Sequence, residues 1–347
     1  MKTGMNVGII GTGGISNMHR RGYEAAGASV IAIADVNERA LAERRREWNV
    51  ERRFTDYQDL LELSELDAVS ICTPNAFHHP ATLAAAAAGK HVLCEKPISL
   101  NLTQAQEMID ACRAAGVVLQ VGHHMRSNGA AFRAKEMLDR GDLGRLTFMR
   151  LRQAHDWTGD AEVRPSFGTR ERAGGGTLLD NGCHMFDLAR YFAGDVGELY
   201  ARTATLKFDV EVEDTSVVSL QFASGTLASV ENAWTATGWE EGFWLYGTKG
   251  ALEYTNRWED PVLRHRFRES PGTTWGGTDV ATYAFQTSNP GQSNHGRHIA
   301  NFLAAIRGEC EPICTGEDGL EAVRLVLAAY KSAEQNCSVV PTQAAPS

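Results

Sequence analysis

Gly8-Ile9-Ile10-Gly11-Thr12-Gly13-Gly14-Ile15-Ser16 closes a short apolar run that begins at Met5 and opens a helical stretch reaching about Ala26. Gly11 lets the chain turn tightly, and Gly13 lets the backbone approach a pyrophosphate. Ser16 takes the third small position and still permits close packing of helix on strand. The helix N-terminus then offers free N–H groups and the positive end of its dipole to phosphates. A glycine turn alone is also compatible with an ordinary tight connection. Here a strand precedes it, a helix follows, and Asp35 ends the next apolar run, Ser29–Ala34, 24 positions after Gly11. That carboxylate is placed to bind the adenosine ribose hydroxyls and to repel a 2′-phosphate, so NAD is favoured over NADP. Arg39 stands near enough to soften the preference, or simply faces solvent on its helix.

Outward from this turn the first third keeps alternating. Further short apolar runs lie at Asp67–Cys72, His91–Cys94 and Val117–Val121. Between the runs are a charged helix at Asn37–Glu47 with Asn37 as N-cap, an Ala-rich one at Pro80–Ala88, and one at Thr103–Ala115 that Thr103 caps and Gly116 stops. Continuous apolar strands separated by helices predict a parallel sheet covered on both faces. After about residue 125 the pattern changes to a helix at Asn128–Arg140 and longer alternating strands. These are Arg145–His155, Leu199–Phe208, Thr215–Phe222, Thr226–Trp234, Phe243–Tyr246 and Ala251–Tyr254, with turns at Ser224-Gly225 and Thr248–Gly250. They predict an antiparallel sheet of about six or more strands. Helices are expected at Leu178–Phe192, Arg297–Ile306 and Glu317–Glu334, while Asn256–Pro290 carries no clear pattern. The expected class is α/β: a Rossmann domain with a parallel sheet over 1–125, an α/β domain with a large open, mainly antiparallel sheet over 126–340, and a loose tail at 341–347.

The bulk properties bound the function. A chain of 347 residues exceeds what one core usually covers, and 43% hydrophobic with 22% charged residues is ordinary for a globular protein. A formal charge of -9 argues against nucleic acid as a partner. The N-terminus lacks the apolar segment and cleavage site of a signal peptide, and no run of about 18 apolar residues suggests a membrane span. Seven scattered cysteines fit a reducing cytoplasm better than a disulfide framework. Cys310 and Cys314 have a suggestive spacing but no second ligand pair, so no metal is expected.

Two segments carry the chemistry. Glu95, Lys96 and Pro97 follow the strand at His91–Cys94, at the carboxyl end of a parallel sheet where such folds bind ligands. Pro97 is compatible with a cis bond. In the second, Gly174-Gly175-Gly176-Thr177-Leu178-Leu179-Asp180-Asn181-Gly182-Cys183-His184-Met185-Phe186-Asp187, a helix would place Asp180, His184 and Asp187 on one face. A capped helix with a buried histidine, or a metal site, are the competing readings of that face.

GTGGIS near the N-terminus, CTPNAFHHP at 72–80, AGKHVLCEKP at 88–97 and GGGTLLDNGCHMFD at 174–187 stand in the order found in the Gfo/Idh/MocA oxidoreductases (glucose–fructose oxidoreductase, inositol dehydrogenase, rhizopine catabolism), which the chain resembles over nearly its whole length. The resemblance implies that Lys96 lies beside the reacting hydroxyl and that Asp180 and His184 complete the catalytic set. It also implies that Thr73, Pro74, Asn75 and His78 line the cofactor together with Gly11, Gly13, Gly14, Ile15, Asp35, Glu95 and Lys96. The implied activity is transfer of a hydride between NAD and a secondary alcohol carbon of a sugar, sugar derivative or cyclitol, in a homodimer or homotetramer built through the C-terminal sheet. Relatives that retain NAD for transient redox, in glycoside hydrolysis or sugar–sugar exchange, give an alternative, and a non-catalytic NAD sensor another.

Either Lys96 or His184 can take the hydroxyl proton; His184 has the ordinary pKa for it, and Lys96 can stabilise alkoxide charge. On the substrate side, His155 and Trp157 end a long strand, where a Trp face suits a sugar ring. Arg126, after His123 and His124, is placed for a substrate anion or an interdomain ion pair. Trp234, Trp239 and Trp244 are expected to pack on the sheet or an interface, and His295 and His298 flank a helix start near the substrate.

Overall fold

Val7 to Ile10 are all buried in β1 (Asn6–Ile10), so this strand is covered on both faces and takes the centre of its sheet. The computed structural model describes residues 4–157, 167–257, 262–268, 280–285 and 293–342. On one side of β1 lie β2 (Ser29–Ala34) and β3 (Arg52–Phe54), and on the other β4 (Ala68–Ile71), β5 (His91–Cys94) and β6 (Leu119–Val121). The order is β3-β2-β1-β4-β5-β6 and every pairing is parallel. The chain reverses its direction of growth between β1 and β4, which opens a crevice at the strand carboxyl ends.

Alternation along the strands feeds two separate cores. Val7 packs with Tyr23 of α1 (Ser16–Ala25), and Ile9 with Leu41 and Trp48 of α2 (Glu38–Trp48). Ile10, Val69 and Ile71 pack with α3 (Tyr57–Leu61), α4 (His78–Ala87) and α5 (Leu102–Ala115). Asn37 caps α2, accepting from the N–H groups of Arg39 and Ala40. For α5 the cap is Asn101 rather than Thr103, because Asn101 stands in extended backbone and accepts from Gln104 N–H at 2.9 Å. Gly116 ends that helix at φ +67.

The second sheet begins after α6 (Gly129–Asp139). Its strands are β7 (Leu146–Asp156), β8 (Val196–Ala204), β9 (Thr215–Phe222), β10 (Leu227–Ala233), β11 (Thr235–Gly247), β12 (Gly250–Thr255), β13 (Leu263–Arg268) and β14 (Val280–Phe285). They order as β14-β13-β12-β11-β7-β10-β9-β8, with β7 parallel to β10 and the other neighbours antiparallel. The last two strands fall in the stretch without a sequence pattern and extend the sheet to eight. One face packs on α6, α8 (Thr177–Asp180), α9 (Gly182–Ala193) and α11 (Gly316–Gln335); a short α7 (Arg170–Ala173) precedes them. The opposite face exposes Phe148, Val217, Leu227 and Tyr246.

The helix expected at 178–192 is two helices that meet at Asn181. The C-terminal helices return to the first sheet. Ile299 and Phe302 of α10 (Asn294–Ile306) pack with Val7 and Tyr23, and Leu320 and Val323 of α11 pack with Ile109 and Val121. Thr342 is the last described residue, so the tail expected at 341–347 lies mostly outside the described residues.

Candidate active site

The glycine turn is built from both its neighbours. Gly11 sits at φ +91, and a Cβ there would lie 2.5 Å from the Cys72 carbonyl oxygen, so β4 closes against it. Gly13 and Gly14 face open space, with nothing within 4 Å of a Cβ. The N-terminus of α1 has no side-chain cap. Asp35 anchors the turn: Oδ2 accepts from Thr12 N–H at 2.7 Å and Thr12 Oγ1 at 2.8 Å, and Oδ1 accepts from Asn37 N–H. Oδ1 accepts only that one bond and keeps a lone pair for a ribose hydroxyl. Arg39 is exposed and pairs with Glu43. Across the crevice, Thr73 Oγ1 is buried and finds no partner among the described residues. Open glycines, an uncapped helix end and an orphaned hydroxyl suit a dinucleotide, and these residues would hold its pyrophosphate and ribose.

At the end of β5 the Lys96–Pro97 bond is cis. Lys96 Nζ donates to Asp180 Oδ1 at 2.6 Å and to the Asp180 carbonyl at 3.0 Å, which joins the two sheets across the cleft. Both side chains keep just under a fifth of their surface exposed. Burial on its own would weaken the Lys96 charge and raise the Asp180 pKa; their mutual attraction more than reverses this, so Lys96 is held above its usual range and Asp180 below its own. Asp180 Oδ2 also accepts from the Trp234 indole N–H at 3.1 Å and lies 3.8 Å from His155 Nε2.

His184 rises from the next helix, α9. Its Nδ1 is 3.4 Å from His123 Nδ1, and its ring meets His124 edge-on at 4.7 Å. His124 in turn stacks on His295 at 3.8 Å. Burial first, then the neighbouring imidazoles and Lys96, hold the His184 pKa well below 6.5. His295 and His298 are brought down to about 4 and about 3 mainly by burial. The cluster is therefore a set of neutral imidazoles at neutral pH.

Glu95 is buried. Its carboxylate accepts from Lys96 N–H at 3.2 Å and meets His19 Nε2 at 2.7 Å, while His19 Nδ1 reaches Ser70 Oγ. Burial opposes its charge, but His19 and Lys96 hold its pKa below the carboxylate range. Gly122 has no side chain because a Cβ there would lie 2.7 Å from this carboxylate.

Several sequence expectations are redrawn. Arg126 is no free substrate contact: its five donors go to both oxygens of Asp187, both oxygens of Asp318 and the Ile313 carbonyl. Asp187 thereby leaves the face shared by Asp180 and His184 and becomes a buried ion-pair partner. His78 is fully buried between the carbonyls of Thr73 and Pro97, so it braces the cofactor loop from behind. Asn75 does likewise, donating to Ala173 O at 2.8 Å, beside the second glycine run. Trp157 is 8% exposed and packed against Trp234 and Phe208, out of reach of a sugar. His298 is also internal, its ring nitrogens 2.9 Å from the Val121 carbonyl and 3.2 Å from Ser127 Oγ. His19 and the Trp234 bond to Asp180 were not among the expected features of the site. His19 had a signal, since Ser16, His19 and Tyr23 share the buried face of α1; Trp234 had none, as its partner is 54 residues away.

A nucleotide crevice that faces a Lys–Asp pair and a neutral histidine defines a nicotinamide-dependent oxidoreductase. The chain belongs to the Gfo/Idh/MocA family: its sequence model for an oxidoreductase family with an NAD-binding Rossmann fold matches residues 5–123, and its C-terminal domain model matches 132–253. The chain is 31% identical to myo-inositol 2-dehydrogenase of Thermotoga maritima over 343 residues, covering 96% of this chain and 98% of that protein. It is 32% identical to 1,5-anhydro-D-fructose reductase of Ensifer adhaerens, covering 94% and 95%. Levoglucosan dehydrogenase, solved in complex with NADH, superposes with a TM-score of 0.88 at 25% identity over 98% of this chain and all of that one. The protein is thus an NAD-binding enzyme of a family of sugar and cyclitol dehydrogenases. No described helix is long and apolar enough to cross a membrane.

Proposed function

We propose that this enzyme oxidises a secondary alcohol on a ring carbon of a neutral polyol, a sugar, sugar derivative or cyclitol, and that His184 takes the proton. The observation that carries the reading is the Lys96–Asp180 contact at 2.6 Å beside a histidine held neutral by burial. NAD supplies the hydride acceptor when bound. Lys96 enters as a firm ammonium, which makes it a donor and a poor base. Two of its three N–H bonds go to Asp180, and the third is left for the substrate oxygen, where it stabilises developing alkoxide charge. Asp180 fixes that ammonium while Trp234 fixes Asp180. His184 has one ring nitrogen against His123 and the other free to accept the hydroxyl proton. The acid limb of kcat/KM should therefore lie well below pH 6.5, following the lowered His184 value.

The test is NADH formation followed by absorbance across aldopyranoses, inositols, sugar acids and anhydrosugars, with Lys96→Ala beside the wild type. The variant is expected to lose about 10²–10⁴-fold in kcat while its NAD affinity stays within about twofold, which also reports an intact fold. Turnover retained in Lys96→Ala, or no NADH from any polyol, would overturn the reading.

A further inference from the structure

The ladder between β11 and β7 shifts register twice, slightly at Tyr246-Gly247 and more widely near the start of β11. Thr235 pairs with Asp156 and Glu240 with Ala154, so residues 236–239 stand opposite the single residue His155. Such bulges gather at sheet rims and beside active sites, where they re-aim a side chain. Gly238 provides the left-handed step at φ +78, and the side chain re-aimed is Trp239. Its indole lies parallel to the His155 imidazole, 12° apart in plane with centroids 5.1 Å apart. His155 Nε2 in turn faces Asp180. The indole N–H donates to Glu241 at 3.0 Å, and Asn256 ties the backbone by accepting from Glu241 N–H and donating to the Trp239 carbonyl.

The indole N–H and the carbonyl of Trp239 are both held, yet the residue is 51% exposed. Parallel rings touch at about 3.5 Å, so the observed centroid separation means a sideways offset of about 3.7 Å. The imidazole therefore covers part of the indole face and leaves the remainder bare, one ring away from Asp180. Trp157 and Trp234 offer no such surface, being stacked on each other in a buried cluster.

We infer that Trp239 is a specificity-determining residue: it backs His155 at Asp180 and takes the apolar face of the substrate ring on its exposed indole. This rests on the polyol reading above. Sugar and cyclitol rings present C–H bonds on a face whose hydroxyls are equatorial, and that face matches the negative quadrupole of an indole. An axial hydroxyl on the same face would be desolvated against carbon without a partner, which selects among ring stereoisomers.

The experiment uses the full chain with saturating NAD, comparing Trp239→Phe, Trp239→Leu and Trp239→Ala on the best polyol of the panel. The Leu and Ala variants should raise KM for the polyol about tenfold, with kcat within about threefold and KM for NAD unchanged; the Phe variant should fall between them and the wild type. Acrylamide quenching of tryptophan fluorescence should decrease when the polyol is added to the wild type, and this protection should vanish in Trp239→Phe. Wild-type KM in the Ala variant, or full protection in Trp239→Phe, would overturn the platform alone. Loss of kcat and NAD binding together in the Ala variant would assign Trp239 a purely structural role and overturn it too. A wild type that binds no polyol of the panel would remove the polyol reading and the platform with it.

Discussion

At Gly13 and Gly14 a side chain would project into empty space, whereas at Gly176 it would run into the Glu213 carbonyl and at Gly175 into the Tyr330 hydroxyl. Both stretches introduce a helix near the cleft, and both are glycine-rich. In the first, glycine keeps a surface bare for something the chain does not supply. In the second it lets two parts of the chain touch: Glu213 accepts from Gly176 N–H, Leu178 N–H and the Tyr330 hydroxyl, and the Glu213 carbonyl accepts from Thr177 N–H. That contact sets where α8 starts, and so where Asp180 stands relative to Lys96. An open glycine serves a ligand and a filled one serves the fold, and the two are told apart by what a methyl group would meet.

The largest effect follows from the filled turn. Gly176→Ala forces a methyl into backbone that cannot yield, and should cost more than about 4 kcal/mol, seen as loss of the urea-unfolding transition or of soluble protein. An unfolding midpoint near the wild-type value would show that the approach of Glu213 is loose, and the contrast between the two turns would collapse. The open turn predicts the reverse split. Gly13→Ala should leave the unfolding midpoint nearly unchanged while NAD binding weakens about tenfold, the 1.4 kcal/mol of one lost close contact, measured by calorimetric titration. Equal NAD affinity in that variant would mean that the phosphates lie elsewhere.

The same contrast explains what could be read from sequence. The first sheet was legible because its signals are local: β1, the glycine turn and α1 are consecutive, and Asp35 follows within one βαβ unit. Only the three-residue β3 escaped, too short to show a pattern. In the second sheet β9 alternates along its whole length and was plain, but the first half of β11 was not, since the bulge at 236–239 breaks the period. Lys96 and Asp180 stand 84 residues apart and were associated only through motif resemblance; the structure brings them to 2.6 Å. Arg126 stood between a substrate anion and an ion pair, and Trp157 was expected at the substrate, for the same physical reason. A guanidinium is free or spent according to partners as distant as Asp318, and an aromatic ring is a platform or a core residue according to whether Phe208 and Trp234 cover it. Residue type and neighbours in sequence carry neither fact.

The smallest expected effect sharpens the comparison through pH. Burial raises the Glu213 carboxyl above its ordinary value, and the three hydrogen bonds it accepts only partly offset this. The folded chain therefore binds that proton more tightly than the unfolded chain, whose carboxyl titrates at about 4.3. Above that pH the folded state holds the extra proton until it too titrates, so this group's contribution falls as pH rises through the folded value. Glu213→Gln keeps an acceptor for Gly176, Leu178 and Tyr330 and has nothing to titrate. Wild type should exceed the variant in stability most at acid pH, and the gap should shrink towards neutrality. His295 and His298, at about 4 and about 3, titrate in both proteins and cancel from the difference. Gly13→Ala, measured the same way, should track the wild type at every pH, because no buried carboxyl closes on that turn. Parallel curves for Glu213→Gln as well would mean that water reaches Glu213, and a hydrated carboxylate needs no glycines packed against it.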